Sequence, residues 1–116
     1  MAMSDSKPTI LIAADVDPWL VERLARDTRF ALDVNPAYRE TELRAAVRTC
    51  DGLVTRFHNE VTESVIESAS RLRVIVQGTS GLDNIARDAA ERRGVTIVGI
   101  PGENANAVAE LVIGHI

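Results

Sequence analysis

Two runs of sequence decide the fold, Arg71-Leu-Arg-Val-Ile-Val-Gln-Gly-Thr-Ser-Gly-Leu-Asp-Asn-Ile85 and Gly94-Val-Thr-Ile-Val-Gly-Ile-Pro-Gly-Glu-Asn-Ala-Asn-Ala-Val-Ala-Glu110. Each run starts with apolar and β-branched residues, passes through a glycine turn and continues with a helical pattern, which predicts a strand followed by a helix. The first turn, called the glycine turn below, consists of Gly78, Thr79, Ser80 and Gly81. Its backbone N–H groups would be available where a helix is expected to begin, and such a place suits an anion.

The same pattern extends back along the whole chain. Short apolar runs start at residues 9, 30, 52, 74 and 95, so successive strands would begin 21 or 22 residues apart. This interval accommodates a strand, a helix and two loops, and continuously apolar runs are typical of parallel strands covered on both faces. We therefore predict a doubly wound α/β fold with five strands, at residues 9–13, 30–34, 52–55, 74–76 and 95–98.

Helix signals lie between the predicted strands. Asp17, which is followed by a proline, is expected to cap the first helix. Thr41 and Thr62 are the expected N-caps of the second and third helices. The fourth helix is expected to start at Asp83 and to stop at Gly94. Each of the first four strands is thus followed by a helix, as the fold requires.

The last predicted helix, residues 107–116 after a cap at Asn104 or Asn106, is unusually apolar. A helix on a free surface would carry a polar face, so we expect this one to pack on a partner outside the 116 residues. The sequence therefore indicates a truncated chain. An exposed apolar helix also favours self-association, in the simplest case as a homodimer.

Composition limits the classes of function. Apolar residues make up 46% of the chain, charged ones 26% and aromatic ones 3%, which predicts a folded protein with an aliphatic core. A net charge of −4 and a pI near 5.1 favour neither nucleic acid nor an anionic membrane as partner. The single cysteine, Cys50, is expected to be a buried thiol, and the absence of a signal-peptide pattern favours the cytoplasm. Residues 1–8 are expected to be disordered or vector-derived.

Arg56 and the glycine turn are the best candidates for a binding site. Both follow predicted strands, and parallel α/β sheets bind ligands beyond the carboxyl ends of their strands. The guanidinium and the turn amides could hold a carboxylate together, although the residue types also fit a solvated arginine beside an ordinary short turn. A charge-assisted hydrogen bond contributes about 1.5–3 kcal/mol, whereas a millimolar Kd needs about 4 kcal/mol. Such a half-site would need contacts from a second surface to hold a small acid.

Other kinds of site are not favoured. The glycine turn is one residue short of a Gly-x-Ser-x-Gly nucleophile elbow, and the chain has no Gly-x-Gly-x-x-Gly dinucleotide loop. Asp15 and Asp17 resemble the acidic pair of a receiver domain, but the aspartate and the lysine that this family has elsewhere are absent. His58 and His115 have no ligand partners at metal-binding spacing, so we expect no metal site.

Four segments carry a specific resemblance, at residues 52–56, 72–84, 89–98 and 101–114. A glycine turn with Asp-Asn is followed, at a characteristic distance, by an asparagine and Val-Ala-Glu. This joined pattern is similar to that of the D-2-hydroxyacid dehydrogenases, and closest to the D-3-phosphoglycerate dehydrogenase branch. The resemblance is strong from residue 52 onward and weaker before it.

The resemblance implies a two-domain oxidoreductase. Residues 9–100 would form a flavodoxin-like substrate-binding domain, and residues 101–116 would form the hinge and the start of a helix that crosses to a Rossmann domain. The enzyme would move hydride between NAD or NADP and a D-2-hydroxy acid, with 3-phosphoglycerate among the candidates. The family's catalytic arginine, glutamate and histidine would lie in the Rossmann domain. The chain alone is therefore expected to be inactive and to hold no cofactor.

The resemblance also implies roles for single residues. Arg56 and the glycine turn (Gly78, Thr79, Ser80 and Gly81) would face the substrate, and Ser80 would lie near the nicotinamide as well. Asn104 is assigned to the cofactor side and, with Glu110, to the interdomain hinge. No catalytic residue is expected within the chain.

A second hypothesis stays open, a stand-alone flavodoxin-like module that binds or senses a small acid without catalysis. It predicts that translation ends at Ile116 and that the terminal helix packs on its own domain or in a dimer.

Overall fold

Strands and helices alternate in the computed structural model, which describes residues 7–79, 81–101 and 104–116. The strands are β1 (Thr9–Ile12), β2 (Ala31–Val34), β3 (Gly52–Thr55), β4 (Val74–Gln77) and β5 (Thr96–Gly99). The helices are α1 (Pro18–Ala25), α2 (Glu40–Ala46), α3 (Glu63–Ser68), α4 (Arg87–Arg92) and α5 (Ala105–His115). All five predicted strands are confirmed, each within one residue of its predicted bounds.

The strands form one parallel sheet in the order β2-β1-β3-β4-β5. The chain moves outward from β1 to β2, then crosses back over β1 and continues from β3 to β5. This order is that of flavodoxin-like doubly wound sheets, with its switch point between β1 and β3. The predicted fold class is confirmed.

Alternate side chains of the central strands contact two helical layers. Ile10 and Ile12 pack in the cluster formed with α1 and α5, whereas Leu11 packs in the cluster formed with α2, α3 and α4. β3 and β4 are buried along their whole length, which explains why their sequences are apolar up to the last residue of each, Thr55 and Gln77. Cys50 lies in the second cluster and is 1% exposed, and this burial raises the pKa of its thiol to about 12. The predicted burial of Cys50 is confirmed.

Of the N-caps predicted for the first three helices, two are confirmed. The Asp17 carboxylate accepts a hydrogen bond from the backbone N–H two residues on (2.8 Å), and the Thr62 hydroxyl accepts one from three residues on (3.4 Å). The prediction for Thr41 is wrong, because α2 begins one residue before it. The Glu42 carboxylate instead reaches back to the backbone N–H of Arg39 (3.4 Å), as in a capping box.

The predicted start of the fourth helix at Asp83 is also wrong, since α4 begins at Arg87. Ile85 forms an isolated parallel bridge with Val61, in which the Val61 N–H donates to the carbonyl of residue 84 (3.1 Å) and the Val61 carbonyl accepts from the N–H of residue 86 (2.9 Å). Backbone groups paired in this way are not available to a helix. The predicted stop at Gly94 is confirmed by its left-handed φ of +72°.

The terminal helix α5 packs on its own sheet. Its Asn104 cap accepts a hydrogen bond from the N–H of residue 107 (3.0 Å), and Val108, Ala109 and Val112 are buried in the cluster with β3, β4 and α1. The backbone of Gly52 lies so close that a Cβ there would be 2.9 Å from a Val112 methyl. The expectation that this apolar face needs a partner outside the chain is therefore wrong. A sequence shows that a helix is apolar, but not which surface covers it.

Candidate functional site

The carboxyl edge of the sheet brings Arg56 beside the glycine turn. Because Thr55 at the end of β3 pairs with Gln77 at the end of β4, the residues that follow, Arg56 and Gly78, lie next to each other. Both line one groove, whose other walls come from the loop before α1, from α1 and from α5. A small anion could lie here between a guanidinium and a turn.

The glycine turn offers fewer amides than its sequence indicated. The N–H of Gly78 donates to the Thr55 carbonyl (3.0 Å), so this amide already belongs to the sheet. Within the described ranges, the amides of Thr79 and Gly81 donate no hydrogen bond, and Gly81 is exposed. Ser80 lies outside the described residues. Because α4 begins only at Arg87, no helix N-terminus supports the turn, and that part of the prediction is wrong.

Arg56 is half-buried and is fixed through both its backbone and its side chain. Its backbone N–H donates to Asn59 Oδ1 (2.8 Å), and its Nη1 donates to the Asp15 carbonyl (3.3 Å). The guanidinium thus lies between the groove and a second hollow. An arginine held in this way is pre-organised for a carboxylate, because less conformational entropy is lost on binding.

The second hollow, on the other side of Arg56, carries mixed charge. The Tyr38 hydroxyl donates to the Asp15 carboxylate (2.7 Å), and this hydrogen bond raises the pKa of Tyr38 above its usual value. The ring of His58 stacks on that of Phe57 with centroids 3.8 Å apart. The hollow is lined by Ala14, Asp15, Tyr38, Arg39, Arg56, His58 and Glu60. Because two arginines and two carboxylates line it, their formal charges cancel.

A buried set of neutral polar side chains joins the two loops that form the groove. Gln77 is fully buried, and its Nε2 donates to the Gly81 carbonyl (2.7 Å) and to Asn84 Oδ1 (2.8 Å). Its Oε1 accepts from the Thr55 hydroxyl (3.0 Å) and from Asn84 Nδ2 (2.8 Å). All four hydrogen-bonding positions of the Gln77 amide are therefore used.

Two asparagines extend this network to the neighbouring strands. The Nδ2 of Asn59, which is fully buried, donates to the carbonyls of Ala13 (2.8 Å) and Ala37 (3.1 Å). The Nδ2 of Asn84 donates to the carbonyls of Arg56 (3.2 Å) and Asn59 (2.9 Å). The loop after β3 is thus connected to the end of β1 on one side and to the glycine turn on the other.

Sequence reasoning singled out none of these four residues, Thr55, Gln77, Asn59 and Asn84, as functional. One signal was available, since Thr55 and Gln77 each end an otherwise apolar strand, and a buried polar residue needs partners. The partners themselves lie up to 46 residues away in the sequence. They become visible only once the strand order is known.

The residues assigned to the cofactor side and to the hinge, Asn104 and Glu110, lie outside the groove. The Asn104 side-chain oxygen caps α5, so only its Nδ2 group could reach a further partner. Glu110 is exposed on α5. Neither lines the groove, which α5 reaches through Ala105 and Val108.

Comparison with known proteins identifies relatives along nearly the whole chain. The family model of the D-isomer specific 2-hydroxyacid dehydrogenase catalytic domain matches residues 10–112. D-3-phosphoglycerate dehydrogenase of Homo sapiens is 31% identical over 107 residues, which cover 92% of this chain and 20% of that protein. A hydroxypyruvate reductase of Thermotoga maritima is 37% identical over 73 residues, covering 63% of this chain and 24% of that protein. The chain thus spans about a fifth of the length of such relatives.

Solved structures share the fold. A protein of Pyrococcus horikoshii OT3 superposes with a TM-score of 0.76 at 26% identity, over 93% of this chain and 32% of that one. The NAD⁺-bound 3-phosphoglycerate dehydrogenase of Entamoeba histolytica superposes with a TM-score of 0.73 at 21% identity, over 94% of this chain and 38% of that one. At 21% identity, the second match supports the fold alone.

Proposed function

The chain belongs to the D-isomer specific 2-hydroxyacid dehydrogenase family, and we propose that it is the substrate-binding domain of an NAD- or NADP-dependent enzyme acting on the CH–OH group of a D-2-hydroxy acid. The observation that carries this proposal is the groove in which Arg56 lies beside the glycine turn. The named relatives make 3-phosphoglycerate one candidate substrate and hydroxypyruvate another.

The chemistry of the groove fits a carboxylate. The Arg56 guanidinium lines the groove and can bind a carboxylate through charge-assisted hydrogen bonds, and the amides of Thr79 and Gly81 would complete the site. Arg56 brings about 1.5–3 kcal/mol, which stays below the 4 kcal/mol of a millimolar Kd. Tight binding therefore requires contacts from a second domain.

The nicotinamide would be held mainly by that second domain. This sequence contains no Gly-x-Gly-x-x-Gly loop for a dinucleotide pyrophosphate, and Asn104 uses its oxygen as a helix cap. When bound, a nicotinamide would supply or accept the hydride. The residues of this chain would hold and orient the acid, and Ser80 and Asn104 are proposed to border the cofactor.

We propose the corresponding division of the chain. Residues 9–100 are the substrate-binding domain, and residues 101–116, with Asn104 and Glu110, form the hinge and the start of the helix that connects to a Rossmann domain. The arginine, glutamate and histidine of the family's catalytic set are proposed to lie in that domain. The 116 residues alone are proposed to be catalytically silent.

Two assays test this proposal. The 116-residue chain, incubated with NAD and D-3-phosphoglycerate, should produce no reduced nicotinamide. The complete gene product should oxidise at least one D-2-hydroxy acid of a panel that includes D-3-phosphoglycerate and D-glycerate. Turnover by the short chain would contradict the division of roles, and a complete product inactive on the whole panel would contradict the proposed function.

A second candidate is a stand-alone module that binds a small acid without catalysis. The packing of α5 on its own sheet favours it, because this hypothesis predicted that packing. The coding sequence beyond Ile116 decides between the two. A strand followed by Gly-x-Gly-x-x-Gly within about 40 residues supports the enzyme, whereas a stop codon at that point supports the module.

Location and assembly complete the proposal. Among the residues that the structure describes, no helix is both long and apolar enough to cross a bilayer. A cytoplasmic location is proposed on the single buried thiol of Cys50, which suits a reducing compartment. A homodimer is proposed on the partly exposed apolar residues of α5, Leu111 and Ile113, which also pack in part on their own cluster, and size-exclusion chromatography at several concentrations tests it.

A further inference from the structure

We propose that Asn84 is a positioning residue that sets the spacing between Arg56 and the glycine turn. This inference rests on the proposed function, because it concerns the geometry of the same carboxylate site. Asn84 belongs neither to the glycine turn nor to the segment of Arg56, the two parts of the site that would contact the acid. Its side chain nevertheless bonds to the loop that carries Arg56 and, through Gln77, to the glycine turn.

The sheet cannot supply this spacing by itself. Backbone pairing between β3 and β4 ends with Thr55 opposite Gln77 and with the bond from Gly78 N–H to the Thr55 carbonyl. Beyond this point, the two chains lead into separate loops. The side chain of Asn84 crosses the gap, with Nδ2 donating to the carbonyls of Arg56 (3.2 Å) and Asn59 (2.9 Å).

Asn84 and Gln77 form a reciprocal pair of amides. Gln77 Nε2 donates to Asn84 Oδ1, and Asn84 Nδ2 donates to Gln77 Oε1, both at 2.8 Å. The same Gln77 Nε2 donates to the Gly81 carbonyl (2.7 Å), which also accepts from the Thr79 hydroxyl (3.2 Å). A chain of direct hydrogen bonds therefore leads from the Arg56 carbonyl to the far end of the glycine turn.

The chemistry of the partners allows only one orientation of the Asn84 amide. Its Nδ2 carries two hydrogens and lies within hydrogen-bonding distance of three acceptors, the carbonyls of Arg56 and Asn59 and the Oε1 of Gln77, so one hydrogen is shared between two of them. Rotating the amide by half a turn would place its oxygen against these three oxygens and leave the Gln77 donor facing a donor. The backbone at Asn84 is fixed as well, since its carbonyl accepts from Val61 N–H (3.1 Å). The link is thus rigid in both position and direction.

The test compares the isotope-labelled chain with two variants by amide NMR. Asn84→Ala removes the link, and Gly94→Ala, at the opposite edge of the sheet, places a side chain at a φ of +72° and so destabilises the fold away from the groove. Without ligand, Asn84→Ala should shift the amide resonances of both Arg56 and Gly81. Gly94→Ala should shift neither.

Titration with D-glycerate gives the functional readout. The acid should move the Thr79 and Gly81 amides of the unaltered chain, and Asn84→Ala should weaken this binding by about tenfold, the loss expected for one misplaced ionic hydrogen bond. Gly94→Ala should bind like the unaltered chain. If Asn84 only stabilised the fold, Asn84→Ala would weaken binding no more than any variant with the same loss of stability. Gly94→Ala measures how much such a loss weakens binding.

Failure of this inference can be told from failure of the proposed function. Normal D-glycerate binding by Asn84→Ala, or unshifted Arg56 resonances in its ligand-free spectrum, overturns the positioning role and leaves the proposed function standing. An unaltered chain whose groove resonances ignore D-glycerate even at about 0.1 M, a concentration that the weak half-site requires, counts against the proposed site, while the ligand-free spectra still decide whether Asn84 couples the two loops.

If Asn84→Ala does not fold, Thr55→Val tests the same chain of bonds at Gln77. It removes the hydroxyl that donates to Gln77 Oε1 while keeping the shape of the side chain. It should weaken D-glycerate binding by about two- to threefold, a fraction of one hydrogen bond, and Thr55→Ser should restore it. Equal binding by the valine and serine variants would contradict the proposal.

Discussion

The two edges of the sheet use polar groups in opposite ways. At the amino edge, the Asp51 carboxylate accepts hydrogen bonds from the N–H of Thr9 (2.7 Å) and from Arg71 Nη2 (3.0 Å), so one charge connects β1, β3 and the residues before β4. At the carboxyl edge, neutral amides connect the loops, and two charged side chains, Arg56 and Asp17, line the groove. A charged side chain connects the strands at the amino edge, whereas neutral amides connect the loops at the carboxyl edge, where the groove lies.

The difference has an electrostatic reason. A carboxylate in the place of Gln77 would repel an anionic ligand in the adjacent groove, and within a protein this repulsion is weakly screened. An amide makes directional hydrogen bonds but carries no net charge that would repel the ligand. The comparison therefore predicts that changes at the amino edge affect stability alone, whereas changes at the carboxyl edge affect both stability and ligand binding.

The largest effect on stability is expected from Gln77→Leu. This change removes four hydrogen bonds within the network and leaves the amide of Asn84 and the hydroxyl of Thr55 each short of a buried partner. The free energy of unfolding should fall by about 3 kcal/mol, since each unsatisfied group costs about 1–3 kcal/mol and the network can relax in part. Urea denaturation measures this change in the free energy of unfolding. A loss below about 1 kcal/mol would show that the network contributes little to the stability of the fold.

A smaller loss is expected from Asp51→Ala at the amino edge. It removes the acceptor for Thr9 and Arg71, and the free energy of unfolding should fall by about 2 kcal/mol, because Arg71 is partly exposed and screened by solvent. Asp51→Asn, which keeps an acceptor for Thr9, is the matched control and should lose less. D-glycerate binding should not change in either variant, and a change would contradict the separation of the two edges.

Gly94→Ala should cost about 1 kcal/mol. The residue has a φ of +72°, which an alanine adopts only with strain, and a Cβ at this position would contact no neighbouring atom within 4 Å. The thermal midpoint measures this loss. An unchanged or raised midpoint would mean that the end of α4 can rearrange at no cost.

The smallest effect is expected from Tyr38→Phe, which removes the exposed hydrogen bond to the Asp15 carboxylate. At neutral pH the loss should be at most about 0.5 kcal/mol. Because the folded state raises the pKa of Tyr38 above 10.0, this contribution is fully present below that pH and is lost as pH rises through the raised value. Unfolding curves of both proteins should therefore converge at high pH, and a gap that widens with pH would contradict this sign.

Local sequence patterns were sufficient to predict the strands, but they failed where contacts between distant residues determine the bounds of an element. The runs around Ile75 and Leu53 are apolar and β-branched enough to predict buried parallel strands within one residue. The start of α4 was wrong because Ile85 pairs with Val61, which lies 24 residues earlier in the chain. No local propensity reports such a bridge.

The site was predictable only in outline. The positions of Arg56 and the glycine turn after neighbouring strands follow from the strand order, and the structure brings Arg56 and Gly78 to one groove. The role of Gln77 and Asn84 could not be predicted, because their hydrogen bonds reach across loops whose path depends on the whole fold. The packing of α5 on Gly52 could not be predicted either, because a glycine in a strand does not indicate which helix packs against it.

The most direct test of the proposed function compares one arginine from each edge in the complete gene product. Arg56→Ala should raise the KM for the D-2-hydroxy acid by about 10- to 100-fold, the loss of one ionic hydrogen bond, and leave the KM for the nicotinamide cofactor unchanged. Arg71→Ala should lower the unfolding midpoint and leave both KM values unchanged. An unchanged acid KM in Arg56→Ala, or an equal rise in Arg71→Ala, would contradict the assignment of the groove as the substrate site.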